Sequence, residues 1–265
     1  IFEAAVNFLA LGMDPEKSTF WVQHDVKEVL ELYWLLSNHT SMGLLERAHS
    51  YKDKTSKGIQ ANHGLFSYPV LMAADILLFD SNIVPVGKDQ IQHVEMTRDI
   101  ATSFNHAYGK EIFVLPESRV DEVVATVPGT DGAKMSKSYN NTIDMFTTAK
   151  QRKKQVMGIV TDSRELDEPK EWENCNIYTL CKLFMNENEL KELQKRYETP
   201  GEGYGHFKIT LLEKINEYFA PYEEKREYYL NNKKEVREIL AFGAQKARKI
   251  AAAKMEIIRD AVGLI

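Results

Sequence analysis

Two cysteines in 265 residues, Cys175 and Cys181, are too few for a disulfide framework or a four-ligand zinc site. They read as idle thiols in a reducing compartment, and no metal held by protein side chains is expected. No apolar run approaches the ~18–20 residues that cross a bilayer, so no membrane partner is expected either. Positive charge is not in excess: 34 Lys and Arg against 39 Asp and Glu leave a formal net charge of −5. A nucleic-acid partner would have to be met by a local basic patch. There is no internal repeat and no low-complexity segment, which sets repeat arrays aside. An initiating methionine is missing as well. Ile1 opens directly into the amphipathic pattern "IFEAAVNFLALG", so the chain is expected to start within a domain, with any targeting segment upstream. What is present, 43% hydrophobic and 28% charged residues, is the balance of a globular protein with one generous core or two domains.

Over roughly the first 140 residues, short strand-like runs alternate with helical patterns. "STFWVQ" (18–23), "NIVPVG" (82–87) and "EIFVLP" (111–116) predict strands. "VKEVLELYWLLSN" (26–38), "SMGLLERAHSYKDK" (41–54) and "KDQIQHVEMTRDIATSFNHAYG" (88–109) predict helices. Ser67 can cap a further helix beginning near Tyr68, with Pro69 in its first turn. Helices between short strands argue for an α/β domain with a parallel sheet. From Thr142 onward every periodic stretch is helical, with turn-like breaks such as "TPGEGYG" (199–205), which predicts an all-helical second domain.

The most specific stretch is "DGAKMSKSYNN" (131–141). Lys134 and Lys137, with Ser136 and Ser138 between and after them, can present cations and hydroxyls to one polyphosphate. A polar, glycine-containing loop of this kind suits phosphoryl or nucleotidyl transfer, where charge develops on oxygens. A bare Lys-x-x-Lys is usually a solvated turn; the full Lys-Met-Ser-Lys-Ser is far rarer by chance. "VGKDQ" (86–90) places a glycine at the end of a predicted parallel strand, where a ligand can approach the backbone of an open α/β sheet. Standing alone, it would read as an ordinary strand-to-helix turn.

In Lys134–Ser138 the chain resembles the second signature motif of class I aminoacyl-tRNA synthetases, without deviation. Gly87–Gln90 is similar to the Gly-x-Asp-Gln segment of the tyrosyl and tryptophanyl branch. Asp89-Gln90, His93 and Arg98-Asp99, with "SYPVLMAADILLFDSNIVPVG" (67–87), "IVTDS" (159–163) and "GAQKA" (243–247), favour a tryptophanyl-type, bacterial-like member. The resemblance implies a Rossmann-like nucleotide-binding domain over 1–148. It also implies a helical anticodon-binding domain over 149–265, whose last helix is free to pack back on the first domain. It further implies ATP as substrate with accompanying Mg²⁺, L-tryptophan and its tRNA as partners, a homodimer, and a cytoplasmic location unless an organellar address lies upstream. Gly87, Lys88 and Asp89 would border the nucleotide together with Lys134, Met135, Ser136, Lys137 and Ser138. Gln90 would face the amino acid, and Lys54 would lie near the pyrophosphate. The family's His-containing first signature is missing and is expected upstream; "NHG" (62–64) is only a superficial likeness in the wrong place.

Asp75 stands inside "LMAADILLF" (71–79), where an unpaired carboxylate is costly. Tyr68, Met72 and Asp75 fall at i, i+4 and i+7 on one helix face. An indole needs an apolar slot and one acceptor for its N–H. Met72, Val84 and Val86 could wall that slot, with Asp75 as the acceptor. The rival reading is a structural acid paired with a lysine or backbone amides. His24, His39, His49 and His106 show no metal spacing. Lys52, Lys54 and Lys57 form a short charged stretch. Trp34, Leu35, Leu36, Leu44 and Leu45 read as core or subunit interface. "QRKK" (151–154) and Lys246, Arg248 and Lys249 are basic clusters able to meet tRNA phosphates, or else solvated helix faces. The expected activity is tryptophan activation by ATP and transfer to tRNA. The alternatives are a tyrosine enzyme of the same fold and a non-catalytic RNA-binding or regulatory fragment.

Overall fold

Helical periodicity dominates the sequence, and helices carry most of the structure. The computed structural model describes every residue except 57, 59 and 121–126, and every other side chain except those of Ser50 and Ser138. Its elements run α1 (Phe2–Ala10), α2 (Glu28–Ser37), α3 (Met42–Glu46), α4 (His49–Ser56), α5 (His63–Leu77), β1 (Ile83–Pro85), α6 (Ile91–Tyr108), β2 (Glu117–Arg119), α7 (Ala149–Met157), α8 (Asn176–Cys181), α9 (Glu187–Glu198), α10 (Tyr204–Asn231) and α11 (Lys233–Ala261). Lys57, part of the charged stretch noted above, lies outside the described residues. The chain divides into two compact units: Ile1–Ala5 with Met13–Ala125 and Asn232–Ile265, and Val6–Gly12 with Thr126–Asn231. No described helix is long and apolar enough to cross a membrane.

In the first unit β1 and β2 pair in parallel, Ile83 opposite Glu117, Val84 opposite Ser118 and Pro85 opposite Arg119. The α6 crossover links them, as parallel neighbours require. This α/β unit, with a helical unit beside it in the chain, is the architecture that the sequence implied. Three local expectations are corrected. Residues 18–22 form no ladder with any described residue. The second strand lies at 117–119 rather than 111–116, because the Asn105 side chain takes the backbone instead: its Oδ1 accepts from Ile112 N and Phe113 N, and its Nδ2 donates to Phe113 O. The predicted helix over 41–54 is two helices, broken where Ala48 is fully buried and His49 N donates to Gln92 Oε1 at 2.8 Å.

The start of α5 is also displaced. Asn62, not Ser67, is its N-cap, accepting from Leu65 N at 2.8 Å. Ser67 lies one turn inside and donates to His63 O, and Pro69 is buried within the helix.

Leu32 and Leu36 of α2, Val70 and Leu77 of α5, Ile100 and Phe104 of α6, and Ala247, Ala251, Met255 and Ile258 of α11 form one core. Polar contacts fix α11 along it. Lys254 is buried, and its Nζ donates to Asp80 Oδ1 at 2.5 Å and to Ile112 O at 2.6 Å. Arg259 makes two hydrogen bonds to Glu31, at 2.8 and 2.6 Å, and holds that carboxyl below the usual range.

The second unit packs Ile177, Leu193, Tyr197, Phe207 and Leu211 from α8, α9 and α10, with the Tyr197 and Phe207 rings stacked at 3.9 Å. Both cysteines are free, and burial pushes the Cys181 thiol up to about 12.

The tether of α11 has a measurable strength. Lys254→Met should lower stability by about 2 kcal/mol, less than a fully buried pair because Asp80 can rehydrate. Arg259→Met, at a more exposed pair, should cost under ~1 kcal/mol. Urea midpoints of the two variants check this; equal shifts would remove Lys254 from its special place.

Candidate functional site

Asp75 is half-buried, and it borders an open cavity of about 350 Å³ lined also by Thr19, Phe20, Trp21 and Gln23. No ion pair to Asp75 occurs among the described residues; its partner is neutral, Gln23 Nε2 donating to Oδ2 at 2.6 Å. Burial pushes the carboxyl up to about 6, and the Gln23 hydrogen bond opposes that rise. Met72, Val84 and Val86 are half-buried, with Ile83 and Pro85 exposed on the other side of the strand, but they do not line this cavity.

Tyr68 belongs to a second cluster. Its hydroxyl meets His93 Nε2 at 2.8 Å, and Lys54 Nζ stands 5.4 Å from the centre of its ring. His93 is buried, and burial pulls its imidazole below the usual range; the Asp89 charge works the other way, while His49 and Lys54 add to the lowering. Asp89 and Gln90 lie in the 3-10 turn Lys88–Gln90 that leads into α6, with Gln90 Nε2 donating to Asp89 Oδ2 at 2.9 Å. Gly87 lets the Asp89 carboxylate lie close over the backbone: a Cβ would stand 2.7 Å from Asp89 Oδ1 and would turn that side chain aside. The structure thus brings Lys54, Tyr68, Asp89 and Gln90 into one neighbourhood. Gly87 and Lys88 are exposed at its edge. In the sequence His93 stands out only as part of the Asp89-Gln90, His93, Arg98-Asp99 pattern; its spacing of four from Asp89, one helical turn, is the signal of their proximity.

In the second unit the lysine loop has a built base. Pro128 and Lys134 form an antiparallel bridge, Gly129 N donates to Ala133 O, and Met135 N donates to Val127 O. Asn141 is 2% exposed and holds the loop from inside. Its Oδ1 accepts from Ser136 N at 2.7 Å, and its Nδ2 donates to Asp131 Oδ1 at 2.8 Å and to Lys134 O at 3.1 Å. A Cβ on Gly129 would fall 2.3 Å from Asn141 Nδ2, so only glycine fits. Met135 packs into the unit's core and lines an apolar cavity of about 230 Å³ with Ile143, Phe184 and Phe219. Lys134 and Lys137 are exposed, Ser136 is half-buried, and the Ser138 side chain lies outside the described part. Asn141 could not be told apart from Asn140 by sequence alone.

The basic clusters fare unevenly. Arg152 is buried and structural, donating to Asn216 Oδ1 and Met145 O and paired with Glu223, so it cannot reach a phosphate; Lys153 and Lys154 are exposed. Arg248 donates to Asp25 O, Lys246 lies over the Phe242 ring at 4.3 Å, and Lys249 is exposed. Among the described residues no group of three or more His, Cys, Asp or Glu is placed to hold a metal ion.

Two outcomes follow from these geometries. Asn141→Leu leaves Ser136 N and Lys134 O without their partner, which should cost about 1–3 kcal/mol and speed proteolytic cutting within 131–141. Thermal unfolding and limited proteolysis read both effects. The raised pKa of Asp75 means that ionisation opposes folding: the penalty is absent below its ordinary value near 3.8 and complete above about 6. Asp75→Asn should therefore raise stability against thermal unfolding at pH 7.5, by about 1–2 kcal/mol after allowance for solvent screening. The gain should shrink at pH 5. A gain independent of pH would assign it to another cause.

The sequence profile of the tRNA synthetases class I (W and Y) matches residues 1–220. The tryptophan–tRNA ligase of Campylobacter jejuni is 64% identical over 99% of this chain and 82% of its own length, and that of Fusobacterium nucleatum is 54% identical over 100% and 81%. The crystal structure of the Campylobacter tryptophanyl-tRNA synthetase complexed with ADP and tryptophan superposes with a TM-score of 0.95, covering 99% of this chain and 82% of that one, at 64% identity. The Mycoplasma pneumoniae tryptophanyl-tRNA synthetase does so at 0.79 with 26% identity, covering 99% and 81%. The half-buried Asp75, the Gly87–Gln90 turn and the lysine loop are thus found in a chain that belongs to the class I tRNA synthetases, in the tryptophan–tRNA ligase family.

Proposed function

We propose that the chain activates L-tryptophan with ATP, releases pyrophosphate, and transfers the tryptophanyl group to its tRNA. The observation that carries this reading is Asp75, an acid kept in an apolar helix with a neutral partner and no counter-ion among the described residues. That arrangement suits an acceptor for one N–H in an otherwise apolar slot. The Campylobacter relative, crystallised with ADP and tryptophan, supports it. A phenol would call for further polar partners, so the tyrosine alternative is not favoured.

In the chemistry that follows, the tryptophan carboxylate attacks the α-phosphorus and the bond to pyrophosphate breaks. Lys134 and Lys137 stabilise the departing charge, with Ser136 and the Met135 and Ser138 backbone shaping the loop. Gly87, Lys88 and Asp89 border the nucleotide, Lys54 faces the pyrophosphate, and Gln90 and Tyr68 face the amino acid, while Met72, Val84 and Val86 pack outside the cavity that Asp75 borders. A ribose hydroxyl of the tRNA's terminal adenosine then attacks the adenylate carbonyl and AMP leaves. Mg²⁺ would accompany the ATP phosphates. Helical-unit side chains such as Lys153 and Lys154 are left to meet tRNA phosphates. Leu36 and Leu45 are buried, whereas Leu30, Trp34 and Met42 are 63%, 67% and 63% exposed, and these exposed apolar side chains support a homodimer. A cytoplasmic location accords with this activity.

Tryptophan-dependent ATP–pyrophosphate exchange tests the reading. Lys134→Ala or Lys137→Ala should lower kcat by ~100-fold or more while KM for tryptophan stays within about twofold, because the lost contacts act on the transition state. Equal losses in kcat and tryptophan binding, or exchange driven as well by tyrosine, would overturn it.

A further inference from the structure

Asp75 alone does not define a recognition site, because a carboxylate on a helix can turn through several rotamers, and only some aim an oxygen at a bound ring. We infer that Gln23 is the positioning residue for this acid: its side-chain amide holds one oxygen of Asp75 so that the other is presented to the indole N–H. The inference rests on the tryptophan reading above and assigns its selectivity to a second residue.

Three observations carry it. The first is the bond itself, Gln23 Nε2 to Asp75 Oδ2 at 2.6 Å, joining residues 52 apart in the chain, at the wall of the cavity that both line. Oδ1 makes no hydrogen bond to any described residue. The second is the chemistry of the partner. A lysine or arginine here would neutralise the acceptor and offer N–H groups competing with the indole, whereas an amide donates one bond and leaves the charge in place. The amide is also what counters burial in keeping the carboxyl ionised.

The third is the way Gln23 is itself placed. Residues 19–22 have no sheet partner among the described residues, yet they are pinned from two sides. The backbone of Gly243 in α11 presses on Phe20 so closely that a Cβ would fall 1.9 Å from the Phe20 carbonyl oxygen. Trp21 packs on Phe79 with ring centres 5.1 Å apart. Immediately beyond, Gln23 opens the 3-10 turn Gln23–Asp25, whose last carbonyl accepts from Arg248 of the same helix. A glycine and an arginine near the end of the chain thereby set the angle of a side chain at its beginning.

The test is ATP–pyrophosphate exchange with tryptophan and with its benzothiophene isostere, in which sulfur replaces the indole N–H. The parent protein should prefer tryptophan strongly in kcat/KM. Gln23→Leu should narrow that preference about tenfold or more, through a higher KM for tryptophan with kcat changed by less than about threefold. Gln23→Glu keeps the shape but puts an acceptor where the donor was, and should lose the preference as well. Gly243→Ala, which displaces Phe20 without touching either side chain, should move in the same direction. Preference retained in Gln23→Leu or Gln23→Glu overturns the positioning role. A parent protein that treats the two ligands alike overturns instead the assignment of Asp75 to the indole.

Discussion

The ammonium group of Lys254 is the interaction on which the first unit depends. One buried cation satisfies Asp80, just beyond α5, and the Ile112 carbonyl, in the connection from α6 to β2, while lying 5.4 Å from the Phe113 ring centre. It therefore joins the last helix to both connections that flank the parallel strand pair. Desolvating a lysine is costly, and here the cost is offset by two acceptors and an aromatic face. With α11 fixed at this point, Gly243 is free to press on Phe20 and Arg248 to hold Asp25, so the cavity beside Asp75 inherits its geometry from a core contact.

The two chemical centres use charge in opposite ways. Around Asp75 no counter-ion occurs among the described residues, and the acid is met by an amide instead. At the lysine loop it does the reverse. The cations are exposed, and the buried polar work is done by Asn141, which ties Ser136, Lys134 and Asp131 without engaging either ammonium. In both places an uncharged amide orients the group that carries charge. An amide donor or acceptor fixes direction while leaving net charge unchanged, which suits residues whose partners arrive with the substrate.

Much of this was legible in the sequence, for identifiable reasons. The helices of the second half obey a 3.6-residue period that packing does not override, and the lysine loop is a contiguous motif. The strands were harder. "STFWVQ" has the composition of a strand, but strand formation needs a partner, and no described residue supplies one. "EIFVLP" lost its ladder to a single side chain, Asn105, which could not be singled out beforehand among many polar residues of α6. Asn62 and Ser67 are both good N-caps; the choice between them was decided by packing along α5. Gln23 left no local trace at all, because its meaning lies in a bond to a residue 52 positions away. Arg152, read as part of a basic cluster, shows the limit of charge counting: burial by α10 turned a surface cation into a structural one.

The return of residues 232–265 to the first unit has a consequence for biogenesis. Lys254 and Asp80 are 174 positions apart, a separation whose closure costs roughly 4–5 kcal/mol of chain entropy before any contact rewards it. During synthesis most of the second unit is available to fold as a continuous segment, while α2 and α5 must wait, their apolar faces uncovered, for α11 to leave the ribosome. That interval is when the nascent chain is most exposed to misassociation. Without residues 232–265 the apolar faces of α2 and α5 would stay uncovered, and the first unit would persist as a folding intermediate.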